Sequence, residues 1–458
     1  MASQTSLPVK ILVPTGMLGS GFPPETVAAG IRLGAQAIAV DGGSTDSGPH
    51  YLGQGVAKSA AASVRTDLEA LIPPAHAAGI PIIVGSCGTS GTDSGVDWVA
   101  SIVAEVCQAH GLAKRVARIY AEQDPGDIAV RVEAGLTRPL PPAAPLDVET
   151  VRKCDHIVGL MGHEPIAAAL EAGAEIVLAG RASDTAVFAA FALLHGAPPG
   201  PTWHAAKVAE CGGQCTTSPH LGGVLVTLDA GGFDIEPLAA ESACTPESVS
   251  AHMLYENADP YRVIEPGGQL DTSQARHIAL DQRRVRVEGS LFHPAATHTI
   301  KLEGAGRVGY ETISFVGIRD PMILSQMGTW SEFLEGYLQQ RLREVLGLAA
   351  DQYQVALRYY GWNGVLGDLE PDLSAPKEVG VHFTARASDQ ATATAIAKIA
   401  NPLLLHMPLP GMTHFPSFAF VTSPAEVERG PVYEFLLQHI ALVVDPDELF
   451  RTELEDVK

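Results

Sequence analysis

Basic residues are scarce in this sequence. Lys and Arg number 30 against 52 Asp and Glu, which gives a formal net charge of -22 at pH 7. A nucleic-acid-binding protein needs a basic surface to neutralise phosphates, so this balance argues against that class. The same balance permits a small anionic ligand, because loops and helix ends are locally positive even in an acidic protein.

Long apolar runs, cysteine pairs and a targeting segment are lacking as well. No run reaches the ~18 apolar residues that a membrane helix requires. The 6 cysteines have neither zinc spacing nor the pattern of a secreted disulfide framework, so we expect reduced thiols. The first residues, MASQTSLPVKILVPTG, lack the basic start of a signal peptide. These absences predict a cytoplasmic protein with neither a membrane nor a nucleic-acid partner.

The first half of the sequence repeats one pattern, in which a short apolar run ends in a small or acidic loop and an Ala-rich helical segment follows. The runs are VKILVPTG, AQAIAVDGG, IPIIVGSCG, RVARIYAEQD, CDHIVGLMG and AEIVLAGRASD. Strands that alternate with helices predict a doubly wound α/β domain with a mainly parallel sheet over residues 1–220. Strands, hairpins and helices then mix, which predicts an α+β region over residues 221–458 that completes the pocket or a dimer interface. The charged fraction of only 18% favours a homo-oligomer.

Two loops that follow predicted strands contain the same letters, TDSG. They lie within Ala37–Tyr51 and Ile82–Trp98, and the second includes GSCGTSGTD. The carboxyl ends of parallel strands share one edge of a sheet, so we expect the two loops to be neighbours at a ligand crevice. Glycines expose backbone N–H groups, hydroxyls add donors, and a helix N-terminus favours negative charge. The second loop therefore predicts a cradle for a carboxylate or phosphate; the alternative is that Asp93 and Ser94 only cap a helix.

Small polar residues and two cations at these strand ends are the predicted substrate-binding groups. Arg181 is a candidate bidentate clamp for a carboxylate. Lys58 is a candidate anion ligand, with an exposed helix residue as the alternative. The full set is Gly16, Ser44, Thr45, Lys58, Ser86, Thr89, Ser90, Arg181 and Ser183.

Carboxylates at the same strand ends are the predicted catalytic and metal-binding groups. Asp41, Asp93 and Glu122 are candidate general acids or bases. Cys87 is a candidate nucleophile, with a small buried residue as the alternative. Clustered carboxylates repel one another unless a cation or protons intervene, which predicts Mg²⁺ or another divalent cation. The predicted ligands are Asp41, Asp46, Asp124 and Asp184; the alternative is that they cap helices or face solvent.

The remaining motifs restrict the cofactors. The glycine spacing fits neither a Walker A loop nor the dinucleotide fingerprint, so no nucleotide or flavin is predicted. Cys211 and Cys215 do not have a usual zinc spacing. His204, Lys207 and Glu210 fall on one helical side, which is either a catalytic face or a solvated one.

Several motifs together resemble the acyclic terpene utilisation family called AtuA. The motifs are ILVPTGMLGSGF, AVDGGSTDSGPHYLG, GSCGTSGTDSGVDW, YAEQD, VLAGRASDT, YENADPYRVIEPGG and RGPVYEFLLQH, which extend the resemblance from about Val9 to Glu453. The resemblance implies a catabolic context near enzymes that handle acyl-CoA or branched carboxylic acids. It also implies a small ferredoxin-like partner subunit, because longer members carry such a domain after this region. It brings no set of catalytic residues.

These observations predict a catabolic enzyme, a hydratase, dehydratase or related lyase that acts on a small carboxylate or an acyl-CoA thioester. Hydrolysis or isomerisation would use the same groups, so these reactions remain open. The alternative from a different class is a non-catalytic scaffold subunit that presents a ligand to a partner enzyme.

Overall fold

A computed structural model describes residues 8–349 and 351–458 of the chain. The chain divides into two compact units, the first made of Met1–Gly306 and Phe435–Lys458 and the second of Arg307–Glu434. This division differs from the predicted regions 1–220 and 221–458, because strands beyond residue 220 join the main sheet of the first unit.

Strands and helices alternate over the first two hundred residues, as the apolar pattern predicts. The strands are β1 Val9–Val13, β2 Ala37–Asp41, β3 Ile82–Gly85, β4 Lys114–Tyr120, β5 Thr137–Pro139, β6 His156–Leu160, β7 Ile176–Ala179, β8 Val224–Leu228, β9 Gly232–Pro237, β10 Arg262–Glu265, β11 Gly268–Asp271, β12 Arg276–Ala279, β13 Val285–Glu288, β14 Leu291–Pro294, β15 Thr299–Ile318, β16 Tyr353–Tyr360, β17 Val379–Ala387, β18 Ala419–Phe420, β19 Glu426–Leu442 and β20 Arg451–Val457. The helices are α1 Glu25–Arg32, α2 His50–Gln54, α3 Ala61–Ala78, α4 Asp93–His110, α5 Pro125–Glu133, α6 Val148–Lys153, α7 Glu164–Glu171, α8 Asp184–Leu194, α9 Pro199–Ala209, α10 Pro246–Ala251, α11 Pro321–Leu324, α12 Met327–Leu346 and α13 Gln390–His406. In the part of the chain so described, none of the helices combines the length and apolar character needed to cross a membrane.

The main sheet of the first unit is mixed, so the prediction of a mainly parallel sheet is only partly confirmed. Its ten strands are ordered β12-β13-β9-β8-β1-β2-β3-β7-β4-β20. The central strands β1, β2, β3, β7 and β4 are parallel. On the outer sides, β8 pairs antiparallel with β1 and β20 pairs antiparallel with β4. The short connection between β8 and β9 allows only an antiparallel pair, since a parallel pair requires a long crossover.

The strand predicted from CDHIVGLMG does not enter the parallel sheet, which is a correction to the predicted topology. β4 and β7 pair directly, with Val116 opposite Ile176, so no place remains between them for β6. Instead β6 pairs antiparallel with the first part of β15, with Lys301 opposite Leu160. β6 therefore belongs with β15 to a sheet other than the ten-stranded main sheet.

Apolar side chains cover both faces of the parallel strands. Val9, Ile11 and Val13 of β1 belong to the core that α8 and α9 complete, whereas Leu12 belongs to the core that α3 and α4 complete. Burial on both faces explains why these strands read as continuous apolar runs rather than alternating ones. The carboxyl ends of the strands are left as the polar edge of the sheet.

The second unit is an antiparallel layer with helices packed on it. β17 pairs with the part of β15 that starts at Tyr310 on one side and with β16 on the other. Its core is centred on Trp330 of α12, whose indole N–H donates to the Met407 carbonyl over 2.9 Å. This unit, which covers only part of the predicted region 221–458, has the predicted α+β character.

Candidate functional site

A cavity of about 780 Å³ lies at the carboxyl ends of β1 and β2 in the first unit. Gly16 follows β1, and a Cβ atom at this position would lie 2.8 Å from the carbonyl carbon of Cys211, so only glycine permits the close approach of the two loops. The cavity is lined by Thr15, Gly16, Met17, Ser20, Gly21, Phe22, Asp41, Gly43, Ser44, Asp46, Ser47, Lys58, Asp184, Cys211, Gly213, Gln214, Pro219, His220, Gly222, Tyr255 and Glu256.

The two loops that share TDSG are neighbours, as predicted. Asp41 and Gly85 are opposite each other in parallel strands, and the Gly42 amide donates to the Gly85 carbonyl over 2.8 Å. The second loop is nevertheless inside the protein. Ser86, Thr89 and Ser90 are buried, and none of them lines the cavity. The predicted cradle is therefore closed toward this cavity.

Backbone strain marks this buried loop. Ser86 has φ of 41° and Thr89 has φ of 81°, values that non-glycine residues rarely adopt and that cost about 1–3 kcal/mol each. The Ser86 hydroxyl donates to the Ala182 carbonyl over 3.3 Å and accepts from the Arg181 guanidinium over 3.2 Å. The loop thus fixes the position of the Arg181 guanidinium through the Ser86 hydroxyl.

Arg181 does not face the cavity, which corrects its predicted role as a carboxylate clamp. The residue is 5% exposed, and its Nε donates to Glu303 Oε2 over 3.0 Å. A second N–H group donates to the hydroxyl of Thr45 over 3.4 Å. Burial acts to raise the pKa of Glu303, but Arg181 and Lys301 outweigh it and lower the pKa to about 2. Arg181 is therefore a buried cation already paired within the protein.

Asp41 and Asp184 both line the cavity, and the charge of Asp184 acts on the carboxyl group of Asp41. Burial raises the pKa of Asp41 well above its ordinary value, and the charge of Asp184 adds to this effect. Burial also raises the pKa of Asp184, while Arg181 opposes the increase. The Gly43 amide donates to Asp41 Oδ2 over 2.7 Å, and Oδ1 has no partner. Carboxyl groups with raised pKa values can exchange a proton with a bound molecule.

Several other predicted residues lie at the mouth of the same cavity. The Ser44 hydroxyl accepts from the Asp46 amide over 3.3 Å and so starts a short 3-10 turn. Lys58 is exposed, and its ammonium donates to the Ser47 hydroxyl over 2.7 Å. Of the predicted binding residues, the ones that line the cavity are Gly16, Ser44 and Lys58, whereas Thr45, Ser86, Thr89, Ser90, Arg181 and Ser183 do not.

The remaining predicted carboxylates surround a different cavity of about 560 Å³, beside β4 and α5. Asp93 and Glu122 each accept a hydrogen bond from the backbone N–H of the other, over 3.1 and 3.0 Å. Glu122 also contacts Nδ1 of His156 over 2.5 Å, and Asp124 caps α5 by accepting from the Gly126 amide over 2.7 Å. Because β3 and β7 lie between β2 and β4, the end of β2 at Asp41 and the end of β4, which Glu122 follows, are three strand spacings apart, roughly 14 Å.

Cys87 lies in the apolar core between the sheet and the helices α3 and α4. It is fully buried, and burial raises the pKa of its thiol, with the charge of Asp41 acting in the same direction. A nucleophilic cysteine needs a lowered pKa and access to substrate. The geometry favours the alternative of a small buried residue.

The predicted Mg²⁺ ligands do not converge in this structure. Among the described residues, Asp41, Asp46 and Asp184 do not bring three carboxylate oxygens within 4.8 Å of one another, and Asp124 lines the other cavity. The donor set of a hard cation would need at least such a cluster. A Mg²⁺ ion at these carboxylates remains a prediction.

Sequence reasoning missed a buried polar group at the end of α9. Lys207 and Glu210 are both buried and their side chains form an ion pair of 2.5 Å, so the helical side left open as catalytic or solvated is not solvated. Glu265 lies in the same charge cluster, and burial raises its pKa to about 7. The i, i+3 spacing of Lys207 and Glu210 predicts that they can form an ion pair, but nothing in the local sequence indicates that the pair is buried.

The parallel strands, their polar edge and the carboxyl-lined cavity define an α/β protein with a candidate ligand site at its strand ends. The family described as "Acyclic terpene utilisation family protein AtuA" matches residues 57–439, and the chain belongs to this family. The description indicates a catabolic context and confirms the resemblance found in the sequence. No curated protein and no solved structure matches the chain.

Proposed function

We propose that the chain is a catabolic enzyme of the hydratase, dehydratase or related lyase type that acts on a small carboxylate or its acyl thioester. The observation that carries the proposal is that Asp41 and Asp184, whose carboxyl groups interact electrostatically, both line a cavity of about 780 Å³. A cavity of this size suits a small or medium-sized organic ligand.

The chemistry requires two proton transfers. In a dehydration, a base removes a proton from the carbon beside the carbonyl, and an acid protonates the hydroxyl that leaves as water. Asp41, whose pKa burial raises well above its ordinary value, acts as the acid, and Asp184, whose pKa is raised by burial but lowered in turn by the cations Arg181 and Lys207, acts as the base. Hydration reverses both steps. The starting state returns when Asp184 releases its proton into the cavity and Asp41 takes one up, since both residues line it.

The charges at the mouth limit the substrate. Lys58 offers one exposed ammonium group, whereas Asp46 and Glu256 make the rest of the mouth acidic. A single carboxylate can approach Lys58, but several phosphates would be repelled by the acidic lining. The acyl part of a CoA thioester would therefore enter while the nucleotide part stays outside.

The experiment is a turnover assay with unsaturated and hydroxylated short-chain acids and their CoA thioesters, in which absorbance reports the conjugated double bond. We expect Asp41→Asn to lower turnover by about 10²- to 10⁴-fold, the usual contribution of a general acid or base. Asp124→Asn is the matched control, because Asn also caps α5 and the residue lines the other cavity.

The products separate the competing reactions. Free CoA would indicate a hydrolase, and a shifted double bond would indicate an isomerase. A chain that binds a carboxylate but turns it over only with a second subunit would support the scaffold alternative. Full activity of a folded Asp41→Asn variant would contradict the proposed role of the pair. The same assay after chelation tests the predicted Mg²⁺.

A further inference from the structure

We propose that Glu210, Cys211 and His252 bind a divalent transition metal, with Zn²⁺ as the expected ion. Each residue offers one ligand atom, and the three atoms lie within 4.8 Å of one another. Cys211 lines the cavity of about 780 Å³, so a metal here would be accessible from it. Metal binding at these residues does not depend on the reaction proposed above.

Two helix ends bring the three residues together. Glu210 and Cys211 follow α9 directly, and His252 follows α10. The Ser248 hydroxyl of α10 donates to the Cys215 carbonyl over 2.7 Å, which ties α10 to the turn after Cys211. The ring of Tyr255 stacks on His252 with centroids 5.7 Å apart and restricts the orientation of the imidazole. The site is therefore held by hydrogen bonds and packing that do not involve the ligand atoms.

Two of the ligand atoms are buried without any partner. Glu210 is 4% exposed and its Oε2 accepts no hydrogen bond, and His252 is 6% exposed and its Nε2 is likewise unpaired. Leaving a buried polar atom unpaired costs about 1–3 kcal/mol, so such atoms are rare and require an explanation. A metal ion coordinated by Oε2, Nε2 and the Cys211 thiolate would satisfy both. The other oxygen of Glu210 remains bonded to Lys207 over 2.5 Å.

The surrounding charges favour an added cation. The carboxyl groups of Asp184, Glu210 and Glu265 all interact with the single ammonium of Lys207. The last turn of α9 adds the partial negative charge of a helix C-terminus. When ionised, these three carboxylates and one ammonium carry a formal charge of -2, and a divalent ion with one thiolate ligand would reduce it to -1.

The donor set selects the kind of metal. Mg²⁺ and Ca²⁺ require oxygen ligands, whereas one thiolate, one imidazole and one carboxylate suit Zn²⁺. Zinc bonds of about 2.0–2.3 Å place tetrahedral ligand atoms about 3.3–3.8 Å apart. Since the ligand atoms lie within 4.8 Å of one another, the cluster needs to contract by at most about 1.5 Å, which side-chain rotation allows. Three protein ligands leave the fourth position open for water or a ligand, as in catalytic zinc sites.

The test uses the full chain, stripped with a chelator and reloaded with Zn²⁺ or Co²⁺. We expect one zinc per chain by elemental analysis and a thiolate-to-cobalt charge-transfer band for the Co²⁺ form. Cys211→Ala should abolish the band and weaken zinc binding more than about 100-fold, above the effect of losing an outer-shell group. His252→Gln and Glu210→Gln should weaken binding similarly. His220→Gln, at the mouth of the same cavity, and Cys107→Ala, in the core of α4, are the matched controls.

A wild-type chain that takes up no zinc and gives no charge-transfer band would overturn the proposal, and so would a Cys211→Ala variant that keeps the band. If the variants do not fold, the wild-type chain still gives an answer. Zinc should protect Cys211 from alkylation by a maleimide, mapped by mass spectrometry, and unchanged alkylation would refute the site. Neither readout involves turnover, so the two proposals can fail separately. A chain that binds zinc but is inactive would contradict only the proposed reaction. An active chain that binds no zinc would contradict only this metal site.

Discussion

Replacing Glu303 with Gln should destabilise the first unit by about 3 kcal/mol at neutral pH. Glu303 is buried and bonds to Arg181 over 3.0 Å and to Lys301 over 2.6 Å. Its pKa falls from 4.5 to about 2 on folding. At about 1.4 kcal/mol per pKa unit, the charged form is favoured in the folded state by about 3 kcal/mol. This agrees with the about 3–5 kcal/mol that removal of one partner of a buried ion pair usually costs.

The pH dependence of the stability difference shows whether Glu303 stabilises the fold through its charge or through its packing. A carboxyl whose pKa is lowered by folding contributes its full stability above its unfolded pKa and loses it as the pH falls toward its folded pKa. The difference between wild type and Glu303→Gln should therefore be complete at pH 7 and shrink as the pH drops from 4.5 to about 2.

Thermal unfolding, followed by tryptophan fluorescence from pH 7 to acid pH, measures the effect. For a unit of roughly 330 residues, at about 2.1 cal/mol/K per residue, 3 kcal/mol lowers Tm by roughly 4 °C. Glu105→Gln is the matched control, because Glu105 pairs with Arg65 at the surface and such pairs contribute less than about 1 kcal/mol. A Glu303→Gln variant as stable as wild type at pH 7, or a deficit that persists at acid pH, would refute the reasoning.

Three other substitutions provide two further tests, one of a strand-end loop and one of the pair His156 and Glu122. Gly91→Ala should destabilise the protein by more than about 3 kcal/mol in denaturant unfolding, because its φ is 67° and the new Cβ would lie 2.1 Å from the Arg181 amide nitrogen. Gly111→Ala is the control and should cost only about 1 kcal/mol, because Gly111 has a similar φ of 64° but open space around it. Equal costs for the two substitutions would contradict the steric argument. Hydrogen bonding to Glu122 raises the pKa of His156, so their interaction should stabilise the fold below pH 6.5 and weaken as the pH rises through the raised pKa. His156→Gln should remove this dependence from thermal unfolding curves, and an unchanged pH profile would show that the pair does not titrate in this range.

The local parts of the site could be predicted from the sequence, because they depend on short-range pattern. Asp41 follows an apolar run, and the parallel arrangement of β2 and β3 then places it beside Gly85 whatever the rest of the chain does. The mixed character of the sheet could not be predicted in the same way. The pairing of β20 with β4 joins residues over 300 positions apart, and no local signal in either strand specifies it.

The partners of charged residues were the main failure, again for a physical reason. The sequence predicts that Arg181 binds substrate, because its partner Glu303 lies on another strand, 122 positions later, and no local signal indicates the pair. Likewise, Glu210 and His252 are 42 positions apart, and only the packing of α10 against the turn after α9 brings them together. A sequence shows which residues can carry charge, but their state depends on which other charges the fold places beside them.

The charged groups around Asp41, Asp184 and Glu210 can be considered as one system, which connects the two proposals. The carboxyl groups are Asp41, Asp184, Glu210, Glu265 and Glu303, and the cations that interact with them are Arg181, Lys207 and Lys301. Negative groups therefore exceed positive ones, and burial makes such an excess costly unless protons or a metal ion are bound. Protons on Asp41 and Glu265 are one solution, and they equip the cavity for acid–base chemistry. A zinc ion at the end of α9 would also offset the excess of negative charge, and Asp41 and Glu265 would then bind their protons less strongly. If both exist, zinc loading should shift the pH at which the chain is most stable, whereas two independent sites would leave that pH unchanged.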